Sequence, residues 1–184
     1  MTGWAQRLIR ELDASDRRAE SLAKGLTLEQ LNWRPRPEAW SIGQCLQHLY
    51  IANEVYLPAL SAALEDGSFA RVEEIVPGWL AGWFIRKYIE PSSKSGRARA
   101  PRKIEPGKHV EASILESFLR SNRAARELVR RANDYDVNRI RFKNPFIPVL
   151  RFTVGAGLEI VSKHQARHLL QAEVVKQAED FPHV

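Results

Sequence analysis

The 184-residue sequence holds one cysteine, Cys45, so no disulfide can form within the chain. A single thiol fits a reducing compartment. Long apolar runs are also missing. The most apolar stretch, residues 75–89, is interrupted by Pro77, Arg86 and Lys87, and it falls short of the about 20 apolar residues a membrane helix needs. The opening MTGWAQRLIRELDASDRR carries charge from Arg7 onward, so no secretory leader is expected and the cytoplasm is the expected location. Internal repeats, low-complexity tracts and strong strand alternation are lacking too. Residues 90–110 contain no Phe, Trp or Tyr.

What is present reads as globular. Apolar residues make up 44% and charged residues 27%, which excludes disordered and fibrous classes. The length suits one domain, expected over residues 1–184. The net charge of +6 raises the question of anionic partners. Between Arg86 and Lys103 there are seven lysines or arginines and one glutamate, broken by Pro91, Gly96 and Pro101. A nucleic-acid reader offers aromatics between its cations or a continuous basic helix. Residues 90–110 offer neither, so a solvated basic loop is expected, with no specific nucleic-acid partner and no membrane partner.

Helical spacing dominates. Trp4, Leu8, Leu12, Ala19, Leu22 and Leu26 recur at three- and four-residue steps, interrupted at Ser15, with charged residues opposite. Thr27 and Gln30 form a capping box for a short helix that ends at Pro35 and Pro37. Ser41 and Gln44 form a second box, opening a long helix through Leu46, Leu49, Val55 and Leu64 to a stop at Gly67; Pro58 inside it is expected to kink it. Residues 68–108 look irregular, with a short helix over residues 79–88. A third long helix covers about 110–133 and a fourth about 153–179. Residues 139–150, RIRFKNPFIPVL, read as a Pro-punctuated connector rather than a strand pair. The expected fold is all-α: a four-helix bundle with a long crossover between the second and third long helices.

Three of the five histidines fall in the long helices. His164 and His168, four apart, lie one above the other on one helix face and can chelate a single ion through two imidazoles. The glutamate of an HExxH helix is absent, since the stretch reads His-Gln-Ala-Arg-His, and this excludes a metalloprotease of that type. Val161, Gln171 and Val175 share the face of the pair, so both rings point inward. His48 is flanked at helical spacing by Gln44, Ala52 and Val55 and also points inward. Buried imidazoles need polar partners. Three of them can share a divalent cation, or each can bond separately to a carbonyl or hydroxyl. His109 and His183 lie in a loop and in the tail.

The run LEQLNWRPRPEAWSIGQCLQHL at residues 28–49, followed far downstream by His164-Gln-Ala-Arg-His168-Leu-Leu-Gln171, resembles the DinB/YfiT-like metalloprotein superfamily. The resemblance spans nearly the whole chain and is weakest at residues 65–110. It implies a four-helix bundle in which one histidine of the second helix and an HxxxH pair of the last bind a divalent metal. By position those ligands are His48, His164 and His168. It also implies chemistry on a small-molecule substrate. Some relatives are transferases or isomerases using a low-molecular-weight thiol such as bacillithiol or mycothiol, and others are described as hydrolases. A non-catalytic metal-binding or DNA-damage-associated module is the alternative. Bundles of this kind often dimerise, which makes a homodimer a partner to test for.

Three imidazoles leave coordination positions open, the pattern of catalytic sites. Zinc is the first expectation, nickel the second; iron and copper also suit imidazole ligands. No general acid or base emerges from the motif. Gln44 and Gln171, each within a turn of a ligand on its face, are candidate pocket or supporting groups, with a capping role equally open for Gln44. Asn122 interrupts an apolar stripe and reads either as a pocket group or as a hydrogen-bonded core amide. Cys45, Trp33 and Trp40 read as packing residues, and Arg167 as a surface or interface residue.

Overall fold

A computed structural model describes residues 1–90, 101–147 and 149–182; the middle of the basic stretch, residues 91–100, and His183 lie outside them. The elements are α1 (Gly3–Ala23), α2 (Leu28–Asn32), α3 (Ile42–Glu65), α4 (Trp79–Phe84), a π-helical turn (Ile85–Ile89), a 3-10 turn (Arg102–Ile104), α5 (Ile114–Ala132), β1 (Arg141–Lys143), β2 (Arg151–Thr153) and α6 (Val154–Lys176). Both capping boxes form as expected, with Thr27 and Ser41 each accepting from the amide three residues on and each glutamine reaching back. Gly25 sits at φ +81°, a left-handed conformation that residues with a β-carbon rarely adopt, and it turns the chain from α1 into α2. Pro58 lies inside α3, which continues beyond it to Glu65.

Both α1 and α3 pack on α5 and α6, so the four long helices form a ring in the order α1, α5, α3, α6. The sequence neighbours α1 and α3 therefore stand diagonally. The connection over residues 24–41, which carries α2, spans that diagonal, whereas the long crossover joins α3 to its ring neighbour α5. Two apolar clusters fill the bundle. The larger holds Leu8, Leu12, Leu60, Leu64, Val129 and Leu158, and the smaller holds Leu46, Leu49, Phe118 and Leu169. Buried polar groups also join the helices. Asn53 donates to Ser121, and Gln165 donates to Asn122 at 2.8 Å.

The connector before α6 is a strand pair, contrary to the sequence reading. Arg141–Lys143 and Arg151–Thr153 pair antiparallel, with Phe142 opposite Phe152 and both rings buried in the larger cluster. Pro145 falls in the loop between them, where its missing amide interrupts no ladder. Asn144 closes that loop by accepting from the amides of Phe146 and Ile147.

Candidate metal centre

His48 lies two turns into α3, beyond the Ser41 cap, and His164 and His168 stack one turn apart on α6. Because α3 packs directly on α6, the three rings meet. Their centroids lie 4.5 to 4.9 Å apart. One ligating nitrogen from each ring lies within 4.8 Å of the others, and Nε2 of His48 is 3.0 Å from Nε2 of His164. No fourth His, Cys, Asp or Glu joins this group among the described residues.

The outer nitrogens of two rings are held. Nδ1 of His48 donates to the carbonyl of Ile104 at 2.7 Å, and Nδ1 of His168 donates to Oε1 of Gln171 at 3.0 Å. Carbonyl and amide oxygens only accept, so each ring keeps its proton on Nδ1 and turns an Nε2 lone pair inward. The Trp40 ring lies 4.8 Å from His48 and 5.6 Å from His168, and is closer to parallel with the latter. His48 is buried, while His164 and His168 are partly exposed, so access is from the side of α6.

Burial is the main cause that keeps all three rings neutral. It lowers the pKa of His48. It takes His164 well below the usual imidazole value, assisted by His168, His48 and Arg167. His168 falls to about 3, from burial first and then the charge of His48. Neutral imidazoles are the form that binds metals. Nitrogens about 2.0–2.1 Å from one ion stand roughly 3–3.5 Å apart in tetrahedral or octahedral arrangements, and the 3.0 Å separation of His48 and His164 matches. The donor set therefore fits a divalent ion.

The other expected site residues divide. Gln171 supports a histidine directly. Gln44 takes the capping role, with Oε1 on the Ser41 amide and Nε2 donating to the Gly107 carbonyl at 2.8 Å. Asn122 is a core amide: it donates to the Leu12 carbonyl and to Asp16, accepts from Gln165, and is fully buried. Cys45 is buried in the smaller apolar cluster, apart from the histidine group. Trp33 packs edge-on against Phe181, whereas Trp40 packs on the histidines themselves. Arg167 is partly buried rather than a plain surface residue, and it donates to the Tyr88 carbonyl at 3.0 Å, fastening the π turn to α6. Sequence reasoning missed the Ile104 carbonyl, which no residue-type pattern could reveal.

A family model described as the DinB superfamily matches residues 11–172. The uncharacterized protein YuaE of Bacillus subtilis (strain 168) is 24% identical over 165 residues, covering 84% of this chain and 88% of its own.

Proposed function

The chain belongs to the DinB superfamily, and from that premise we propose that His48, His164 and His168 hold one divalent ion in a centre that acts on a small molecule, as a thiol-dependent transferase or a hydrolase. The observation that carries this reading is the convergence of three neutral imidazoles, two of them oriented by acceptors on Nδ1. Zinc is the ion we assign first, with nickel and iron as alternatives. Such an ion supplies Lewis-acid activation of a thiol or of water.

The chain's own groups do the rest. Ile104 and Gln171 fix the tautomers of His48 and His168, and Trp40 packs against both rings. The positive charge of Arg167, felt by both His164 and His168, favours the deprotonated form of a thiol or water held beside them. Three protein ligands leave room for that group, as catalytic sites require and closed structural sites do not.

The test begins with protein purified without a histidine tag. Elemental analysis should find about one divalent ion per chain, and His48→Ala or His168→Ala should abolish it without loss of helical circular dichroism, because four long helices already supply an apolar core. A screen of low-molecular-weight thiols with electrophilic acceptors, and of hydrolysable esters and amides, should then give turnover that these variants lose. Global unfolding on chelation would instead mean a structural metal. Metal-free protein after purification and reloading would end the proposal.

A further inference from the structure

Residues 79–89 form an amphipathic segment whose inward side is accounted for. Ala81, Ile85 and Ile89 are buried in the larger apolar cluster. The outward side carries Trp79, Trp83, Arg86 and Lys87, spaced at four, seven and eight residues from Trp79, as one helical stripe requires. Trp79 is 83% exposed and Trp83 43%, both unusual for tryptophan. Arg86 and Lys87 are also exposed, and the Lys87 ammonium stands 4.9 Å from the centre of the Trp83 ring. The sequence has no Asp or Glu from residue 75 to residue 89. Two bonds hold the segment on α6: Lys163 to Glu90 at 2.8 Å and Arg167 to the Tyr88 carbonyl at 3.0 Å. The stripe is thus presented on a firm support.

We propose that this outward face, with Trp79 and Trp83 beside Arg86 and Lys87, docks on an anionic lipid surface. Tryptophan settles at the headgroup level of a bilayer, where its ring is half in apolar surroundings and its N–H remains solvated. Cations beside it pair with anionic headgroups, and a helix lying in the interface plane needs this combination rather than the length to cross it. The segment cannot span a membrane; it can lie on one. A second copy of the chain is a poor occupant, because a two-fold contact through this stripe sets Arg86 and Lys87 against their own like charges with no carboxylate on the stripe to answer them. Nucleic acid fits less well than lipid: Trp83 meets Tyr88 edge-on and has Lys87 over its ring, which leaves Trp79 as the open ring of the stripe where single-strand binding stacks successive bases. The net charge of +6 adds a longer-range attraction to anionic membranes.

The full chain should be co-sedimented with vesicles of mixed phosphatidylglycerol and phosphatidylcholine and with vesicles of phosphatidylcholine alone. Preferential partition onto the anionic vesicles is expected. It should fall roughly 25-fold in Arg86→Gln/Lys87→Gln, at about fivefold for each cation lost near the surface. Trp79→Ser/Trp83→Ser should weaken binding even at low salt, and circular dichroism should stay unchanged because all four side chains point outward. Equal partition onto neutral and anionic vesicles, or variants that bind like the parent, would overturn the proposal. So would sedimentation velocity in which the tryptophan variant converts a dimer to monomer, or duplex DNA binding at near-physiological salt that is tighter than vesicle binding and lost with the same residues.

Discussion

The carbonyl oxygen of Ile104 accepts a hydrogen bond from Nδ1 of His48 at 2.7 Å, across 56 positions of sequence. Ile104 belongs to the short 3-10 turn late in the crossover, and its side chain is buried. The crossover therefore does more than connect α3 to α5. It supplies the acceptor that sets the tautomer of His48, while Gln44 and Gln47 fasten the same crossover at Gly107.

Gln171 plays the equivalent part for His168, and its removal has a definite consequence. Gln171→Leu keeps the helix but lets the imidazole rotate or place its proton on Nε2. Metal affinity should fall about 10- to 100-fold, the usual cost of losing a supporting hydrogen bond. Competition with a chromogenic chelator measures this. An unchanged affinity would show that packing by Trp40 alone orients the ring.

The three imidazoles make the metal-free protein sensitive to acid. In the unfolded chain they titrate near 6.5; in the fold burial lowers all three, with His168 at about 3. Below 6.5 the unfolded state binds more protons than the folded one, so stability rises with pH. It is whole above 6.5 and is lost as the pH falls toward 3, at up to about 1.4 kcal/mol per pH unit for each histidine kept neutral. Urea midpoints of chelator-treated protein should decline from pH 7.5 to 4.5, and His164→Ala/His168→Ala should flatten the decline. Equal slopes in parent and variant would count against neutral rings.

Cys45 is fully buried, and burial alone pushes its thiol up to about 12. The thiolate is the reactive form, so very little is present near pH 8. A disulfide reagent such as dithionitrobenzoate should modify Cys45 promptly in urea and orders of magnitude more slowly in buffer. Prompt reaction of native protein would mean that the top of α3 opens readily.

Gly157 permits the close packing of α6 on α3 and β1. A β-carbon there would stand 2.5 Å from Cδ2 of Leu60 and 2.8 Å from Cε1 of Phe142. Gly157→Ala should be destabilising, because overpacking costs about 1–3 kcal/mol and the gain in helix propensity returns only about 1 kcal/mol. Gly3→Ala, with nothing within 4 Å of its added carbon, serves as the control and should not lose stability. A Gly157→Ala midpoint at or above the parent value would show that Leu60 and Phe142 can yield.

Much of this protein is decided by short-range physics that its sequence displays directly. The capping boxes at Thr27 and Ser41 depend on residues three apart, and both form. The shared face of His164 and His168 depends on the pitch of one helix. Inward spacing alone placed His48 toward the core. Other features are set between segments that only the fold brings together. The ring order of the helices follows from which apolar faces meet across the crossover, and the exchange of bonds among Asn122, Leu12, Asp16 and Gln165 joins three helices. The pairing of Phe142 with Phe152 was hidden because two three-residue strands carry too little alternation to stand out from a proline-containing loop. Trp40 looked like packing, and it is, but only the structure shows that it packs on His48 and His168. The Ile104 carbonyl was beyond any reading of residue types, since every residue carries a carbonyl and its role is assigned by where the backbone passes.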